Sequence, residues 1–271
     1  MDIKPHIKRV NDYNILYITS GYEKNNAMIL LHGIGASSNR WIKVMPLFSN
    51  EFYVLAPDII GFGYSDKPEA NYTMEFFTDF LYKFIDSVNL IDRKIILIGS
   101  SLGGHIAAEF AIKYPKLISH LILSNSAGVL KHSTPALNDY ILAAMYPTID
   151  NAVRAFRSMV SNFSSIDPNY VRDFVNRMML PNAKYAFLAA LMGSKRSNLI
   201  DRLHMIKAKT LVIWGKHDKL IPVENAYEFK RIPNVRIEIM NSNHLPFVEN
   251  PKEFYILVSN FIKEENDNDR S

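Results

Sequence analysis

Three features of this 271-residue sequence predict an α/β fold built on a central, mostly parallel sheet. Short β-branched and apolar runs alternate with longer stretches whose apolar residues recur every three or four positions. Several of the short runs are apolar throughout, the pattern of strands buried on both faces. One stretch, 129–207, carries helical pattern only and marks a helical insertion in the alternation.

The elements follow from the chain in order. Residues 6–10 and 14–20 alternate polar and apolar around Asn11-Asp12-Tyr13 and read as an antiparallel hairpin. The apolar run 27–31 ends in His32-Gly33-Ile34-Gly35-Ala36, and residues 38–48 put Trp41, Val44, Met45 and Phe48 on one side of a helix. A strand at 52–56 runs into a turn-rich loop from Pro57 and Asp58 through Gly61, Gly63 and Ser65 to Pro68. Phe76, Phe77, Phe80, Leu81, Phe84, Ile85 and Val88 keep helical spacing over 73–88.

The run 95–98 then breaks at Gly99 into Gly99-Ser100-Ser101-Leu102-Gly103, with small, helix-compatible residues beyond it. A strand at 117–124 precedes the insertion, whose helical stretches are interrupted by Pro135, Pro147, Pro168 and Pro181. Alternation resumes with a strand at 210–214, a helix at 223–230, a strand at 236–240 and a helix at 251–263; the polar tail 264–271 is expected to fray. The core is therefore assigned to 1–128 and 208–271, with 129–207 inserted.

Composition narrows the function classes. A chain of this length with 48% hydrophobic residues can bury roughly 75% of its unfolded surface in one core. The absence of cysteine excludes a disulfide framework, a thiolate metal site and a cysteine nucleophile. The N-terminus has no apolar signal-like region and no run approaches the roughly 18 apolar residues of a membrane span, so a cytoplasmic protein without a membrane span is expected. The net charge of +4 is spread along the chain, no nucleic-acid-binding signature accompanies it, and no nucleic-acid partner is expected. His, Asp and Glu show no metal-ligand spacing, so neither a metal nor a cofactor is expected. A homodimer is left open.

In a sheet of this kind ligands bind beyond the carboxyl ends of the strands. Those ends carry His32-Gly33-Ile34-Gly35, Asp58, Ser101, Asp218 after Trp214-Gly215-Lys216-His217, and Asn243-His244. Ser101 lies at the apex of a Gly-x-Ser-x-Gly turn between strand and helix, where flanking glycines permit a strained backbone that exposes its hydroxyl; it is the candidate nucleophile. A serine hydroxyl needs a base, and His244, in a loop just after a strand, is the candidate. Asp218 is the candidate carboxylate that orients the second ring nitrogen. The oxyanion of a tetrahedral intermediate would rest on the amide of Leu102 at the helix N-terminus and on a second amide, assigned to Ile34 with Gly33 or Gly35 as alternatives.

The neighbouring polar residues receive structural roles: Ser100 in packing or hydrogen bonding, His105 carried away by its helix, His32 bracing its loop, Asp58 bonded to the Gly61 and Gly63 turn, and His217 on the surface. Arg172, Arg177, Lys195 and Arg196 read as solvated faces of the insertion, and its Phe, Met, Leu and Tyr residues between 137 and 192 as an apolar pocket lining.

Through His32-Gly33-Ile34-Gly35, Asp58-Ile59-Ile60-Gly61-Phe62-Gly63-Tyr64-Ser65, Gly99-Ser100-Ser101-Leu102-Gly103-Gly104, Trp214-Gly215-Lys216-His217-Asp218 and His244-Leu245-Pro246, the chain resembles the α/β-hydrolase superfamily over nearly its whole length. The order Ser101, Asp218, His244 is also the order of that superfamily rather than of chymotrypsin or subtilisin. The resemblance implies an eight-stranded sheet flanked by helices, a Ser-His-Asp triad and a helical cap over the site. The motifs are similar to the branch holding single-domain carboxylesterases, carbon–carbon hydrolases of meta-cleavage products, cofactor-free peroxidases, haloalkane dehalogenases and epoxide hydrolases. Dehalogenases and epoxide hydrolases of that branch carry Asp where this chain has Ser101. The carbon–carbon hydrolases carry Asn before the nucleophile, Asn just after the tryptophan that Trp41 resembles, and Trp after the histidine; here the positions read Ser100, Lys43 and Leu245. The expected activity is hydrolysis of a small-molecule carboxylic ester with a short- to medium-chain acyl or aryl group. The alternatives are carbon–carbon hydrolysis of dienoates and a ligand-sensing protein on the same fold.

Overall fold

The apolar runs pair into one eight-stranded sheet in the computed structural model, which describes residues 2–163 and 167–268. The strands are β1 (Lys4–Val10), β2 (Tyr13–Ser20), β3 (Asn26–Leu31), β4 (Phe52–Pro57), β5 (Ile95–Ser100), β6 (Ile118–Ser124), β7 (Lys209–Gly215) and β8 (Val235–Met240), in the order β1-β2-β4-β3-β5-β6-β7-β8. The pairs β1–β2 and β2–β4 are antiparallel and the others parallel. The β1–β2 register closes at Val10 opposite Tyr13, with Asn11 at φ 52, a left-handed conformation that Asn tolerates in a tight turn. β5 lies between β3 and β6 and is buried along its length, which explains its unbroken apolar run.

Helices cover the sheet. α2 (Met74–Ser87) starts at Thr73, whose hydroxyl accepts from the Phe76 amide at 3.1 Å, and buries Phe77, Phe80, Leu81, Phe84 and Ile85. α3 (Leu102–Lys113) follows β5 directly and is buried on nearly every face, as its small residues allow.

The stretch expected as one helix over 38–48 is a 3₁₀ turn, Ser38–Trp41, and a short α1 (Met45–Phe48). Pro46 is the reason, since it cannot continue a helix but can begin one, and it sits in the first turn of α1. The helix expected at 223–230 is a 3₁₀ segment, Val223–Arg231, entered through Pro222, with the Asn225 amide and side chain both bonded to the Pro222 carbonyl. After the short α8 (Pro246–Glu249), α9 (Pro251–Asn268) runs past the point where fraying was expected; residues 269–271 lie outside the described residues.

Between β6 and β7 the chain forms α4 (Pro135–Met145), α5 (Ile149–Arg157), α6 (Pro168–Met178) and α7 (Ala183–Arg196), then a 3₁₀ segment, Ile200–Met205. Thr134, Thr148 and Asp167 cap the first three with side-chain oxygens, and Pro135 and Pro168 take the first helical position. Two of the four prolines that interrupt the pattern thus start helices, while Pro147 and Pro181 lie in the connections before α5 and α7. Tyr140, Phe156, Phe174 and Phe187 form an aromatic cluster among these helices, with ring centroids 5.5 to 6.4 Å apart. Among the described residues no helix is long and apolar enough to cross a membrane.

A buried polar knot ties α7 to α3. His105 Nδ1 lies 2.9 Å from Ser194 Oγ, the Ser197 hydroxyl donates to Glu109 Oε1 at 2.6 Å, and both terminal nitrogens of Arg202 reach the Glu109 carboxylate, Nη1 at 2.8 Å. Burial raises the Glu109 carboxyl, but hydrogen bonds from His105, Ser197 and Arg202 outweigh it and bring the pKa down to about 2. The folded carboxyl is therefore more acidic than the unfolded one, and its stabilisation is present above the ordinary carboxylate range and fades as pH falls toward 2. Glu109→Ala is expected to lower unfolding free energy by about 1–3 kcal/mol at pH 7, with the gap to the wild type narrowing between about pH 4.5 and 2. Urea melts across that range read it; equal midpoints at pH 7 refute the role.

Candidate active site

The turn after β5 sets the geometry. Ser101 has φ 53 and ψ −119, a conformation that costs a non-glycine residue roughly 1–3 kcal/mol and persists only where its surroundings impose it. Here the Ser101 amide donates to the Ser124 carbonyl at 3.1 Å, while the Ser101 carbonyl accepts from Ala127 at 2.9 Å and His105 at 3.1 Å. Glycine is required on both sides. A Cβ on Gly99 would lie 2.2 Å from the Gly103 carbonyl oxygen, and one on Gly103 would lie 2.3 Å and 2.5 Å from the carbonyl oxygens of Leu31 and His32. α3 can start where it does only by touching the end of β3.

His244 and Asp218 meet across two other strand ends. His244 Nδ1 is 2.7 Å from Asp218 Oδ2, and the residues are 1% and 5% exposed. An ionised carboxylate only accepts, so the neutral imidazole carries its proton on Nδ1 and leaves Nε2 as the basic nitrogen. Asp218 Oδ1 accepts the amides of Leu220 at 2.8 Å and Ile221 at 3.0 Å, and Oδ2 also accepts from Asn125 Nδ2 at 2.6 Å. The His244 loop is pinned by its own amide on the Met159 carbonyl at 3.1 Å, and by Glu249, which accepts the amides of Asn243 at 2.8 Å and Ser161 at 2.7 Å.

Asn125 was not singled out in the sequence. It follows the last residue of β6, adopts φ 45, and joins the ends of β6 and β7 through its amide on the Ile213 carbonyl at 3.0 Å and its side chain on Asp218. The signal was its place at a strand end beside the other reactive groups, together with the tolerance of Asn for left-handed backbone.

The loop after β3 abuts the serine, and a Cβ on Gly33 would come within 3.1 Å of Ser101 Cβ. Its conformation rests on His32, which is fully buried: Nδ1 donates to the Gly33 carbonyl at 2.8 Å and Nε2 accepts the Ile59 amide at 2.9 Å. Burial is the main cause that lowers its pKa to about 4, and the two bonds fit only the neutral ring. Asp58 accepts the amides of Ser38 at 2.6 Å and Tyr64 at 2.7 Å, so it joins two strand-end loops just beyond Gly63. Tyr140 donates to the Ile34 carbonyl and Arg177 to the Gly35 carbonyl, each at 2.7 Å. Among the described residues, no intramolecular acceptor takes the amide of Ile34 or Leu102.

Ser101, His244, Ile34 and Leu102 line one cavity of about 470 Å³. Leu137, Tyr140, Met159, Leu191, Leu245 and Phe247 give it apolar walls. The expected lining from the helical stretch is only partly present, because Phe156, Phe174 and Phe187 are buried among the helices and do not reach it. Arg177 is not on a solvated face either. It is 3% exposed and ion-paired with Asp173 at 2.9 Å, because α6 turns it inward onto the Gly35 carbonyl. Arg172, Lys195 and Arg196 are exposed, with Lys195 at the cavity rim. Ser100 lines the cavity, and its buried hydroxyl has no hydrogen-bond partner among the described residues. His105 is buried on Ser194 outside the cavity, and His217 is exposed on Asn241.

Residues 26–251 match the family described as alpha/beta hydrolase fold. The chain is 26% identical over 255 residues to a 2-hydroxy-6-oxo-6-(2'-aminophenyl)hexa-2,4-dienoic acid hydrolase of Metapseudomonas resinovorans, covering 91% of this chain and 86% of that protein. It is 25% identical over 268 residues to monoacylglycerol lipase abhd6-A of Xenopus laevis, covering 93% and 80%. Among solved structures, a membrane phospholipase A described as a bacterial virulence factor superposes with a TM-score of 0.87 at 25% identity, over 97% of this chain and 86% of that one.

His32 has a consequence for acid stability. Its folded pKa lies below the ordinary 6.5, so the unfolded chain takes up the proton first, and stability falls as pH drops from about 6.5 to about 4, by up to about 3 kcal/mol. His32→Gln is expected to be less stable at pH 7 by about 1–3 kcal/mol and to show a shallower loss across that window. Chemical denaturation at half-unit pH steps tests it, and parallel curves for the two proteins refute the assignment.

Proposed function

Because the chain belongs to the alpha/beta hydrolase fold family, we propose that it is a serine hydrolase of carboxylic esters, with residues 129–207 as a cap over the site. The observation that carries the reading is the buried His244–Asp218 pair, at 2.7 Å, whose His244 lines the same cavity as Ser101 at the apex of its strained turn. His244 Nε2 takes the hydroxyl proton as Ser101 Oγ bonds to the ester carbonyl carbon, and Asp218 steadies the imidazolium. The oxyanion rests on the amides of Leu102 and Ile34, donors worth roughly 3 kcal/mol each in comparable sites. Collapse breaks the ester bond, the alcohol leaves with the proton from His244, and water then attacks the acyl group on Ser101 with His244 again as base. The acid is released and the serine restored. No cofactor enters these steps. Apolar walls around a cavity of about 470 Å³ suit short- to medium-chain acyl or aryl groups. The proposal includes a cytoplasmic setting and leaves a homodimer open.

A second reading has a specific observation behind it: identity to the dienoic acid hydrolase, 26%, is as high as to the monoacylglycerol lipase, 25%. Carbon–carbon hydrolysis of a related dienoate would use the same serine, base and oxyanion donors. Ester cleavage ranks first because Ser100 and Leu245, both in the cavity wall, depart from the Asn and Trp that the carbon–carbon hydrolases carry there.

Turnover of p-nitrophenyl butyrate is expected, with a loss of at least about a thousandfold in kcat/KM for Ser101→Ala. Undiminished activity in that variant removes Ser101 from the mechanism. Cleavage of a 2-hydroxy-6-oxo-dienoate far faster than of the ester would put the second reading first. One acyl transfer per chain without further turnover would instead indicate a sensing role.

A further inference from the structure

Arg40 stands out among the cavity residues. It belongs to the 3₁₀ turn that continues the Ile34 loop, and its backbone is fixed there by its amide on the Ser37 carbonyl at 3.1 Å. Only 4% of the residue is exposed, yet it lines the same cavity as Ser101 and His244. The Phe156 ring centroid is 4.6 Å and the Tyr170 centroid 5.3 Å from its guanidinium carbon. Aromatic rings satisfy the faces of a guanidinium; the N–H bonds, which lie in its plane, still need acceptors. Nη1 has none among the described residues, and Arg40 forms no ion pair among them.

The surroundings do not neutralise it. Asp173 is within electrostatic reach but holds Arg177 at 2.9 Å and Tyr64 at 2.6 Å. The Tyr140 hydroxyl is committed to the Ile34 carbonyl. Among the described residues no Asp or Glu lines the cavity; of its other titratable lining groups besides His244, Tyr140 is buried and uncharged, and Lys131, His132 and Lys195 are exposed. Burial lowers the Arg40 pKa only to about 10, so it is a cation at neutral pH. Burying a cation with an open donor is costly unless an anion completes it, and the planar fork of arginine matches a carboxylate.

We propose that Arg40 is an anion-binding residue of the cavity and receives a carboxylate carried by the substrate itself, so that the ester cleaved is a half-ester or another acid-bearing ester. The inference rests on the proposed function in taking this cavity for the substrate site, and it deepens that reading by adding the substrate's charge. One buried cation in apolar walls matches a monoanion rather than a phosphate dianion. Arg40 thereby selects substrate, while Ser101 and His244 do the chemistry.

The test reads binding on a chain that cannot turn over. In Ser101→Ala, calorimetry compares monomethyl glutarate with dimethyl glutarate, which differ by one carboxylate. The half-ester is expected to bind at least about tenfold more tightly, and the ratio is expected to fall to about one in Ser101→Ala/Arg40→Gln and to return in part in Ser101→Ala/Arg40→Lys. A ratio near one with Arg40 present, no saturable binding of the half-ester, or a preference that survives Arg40→Gln overturns the proposal. A ratio near one with Arg40 present overturns the proposal even if the double variants do not fold. Loss of all esterase activity in the wild type would sink the hydrolase reading without touching this binding result.

Discussion

The contact between the start of α3 and the end of β3 is the constraint on which the site depends. Gly103 lies so close to the Leu31 and His32 carbonyls that no side chain fits, and this contact leaves the chain no room to leave β5 gradually. The turn is forced to reverse at Ser101 with φ 53. Its strain, of roughly 1–3 kcal/mol, is carried by three backbone hydrogen bonds and by two glycines. The same contact places the β3 loop against Ser101, so the hydroxyl at the turn and an uncommitted loop amide are brought together by a single packing event. Strand order completes the arrangement: β5 is flanked by β3 on one side and β6 on the other, and the groups ending those strands have no other place to go.

Around this turn the buried polar groups divide by which loop they hold. His32 and Asp58 fix the loop after β3, and Asn125 and Asp218 fix His244. Each has defined partners, so a small displacement of one loop leaves a buried donor or acceptor unmatched at a cost of about 1–3 kcal/mol. Both loops are also held from the β6–β7 helices: Tyr140 and Arg177 bond the carbonyls of Ile34 and Gly35, and the Met159 carbonyl takes the His244 amide. Helices that cover the cavity therefore also help set the loops beneath it. Movement of α4 away from the sheet would release the β3 loop as well as open the cavity.

Legibility in the sequence followed locality. The strands, the turn at Ser101 and the residues ending each strand were readable because one short stretch decides each of them, by period, glycine or terminal position. The sheet and its helices follow from that pattern. The roles of Ser101, His244, Asp218, Ile34 and Leu102 are the part that experiment must decide. Failures came where distant residues decide. Arg177 reads as a solvated helix face until Gly35, 142 positions away, supplies the carbonyl that draws it inward. Asn125 and Arg40 look ordinary in their own windows, and only the ends of β7 and the rings of Phe156 and Tyr170 give them meaning. The helix expected over 38–48 failed for a local reason, Pro46, which outweighs the apolar spacing around it.

What would distinguish ester cleavage from carbon–carbon cleavage here is the leaving group rather than the proposed triad. In the proposed mechanism both begin with an oxygen nucleophile at a carbonyl, so Ser101, His244 and the amides of Ile34 and Leu102 would serve either. An ester then expels an alkoxide, which needs only the proton already held on His244. A carbon–carbon bond breaks only if its electron pair enters a conjugated sink, and that sink must be stabilised at a distance from Ser101. Among the described residues, the buried polar side chains in these walls besides His244 are few: Ser100 beside Ser101, and Arg40 and Tyr140 among the rings. Leu245 and Phe247, next to the histidine, offer no hydrogen bond at all. Ester hydrolysis, the proposed chemistry, asks only for groups whose positions the fold fixes.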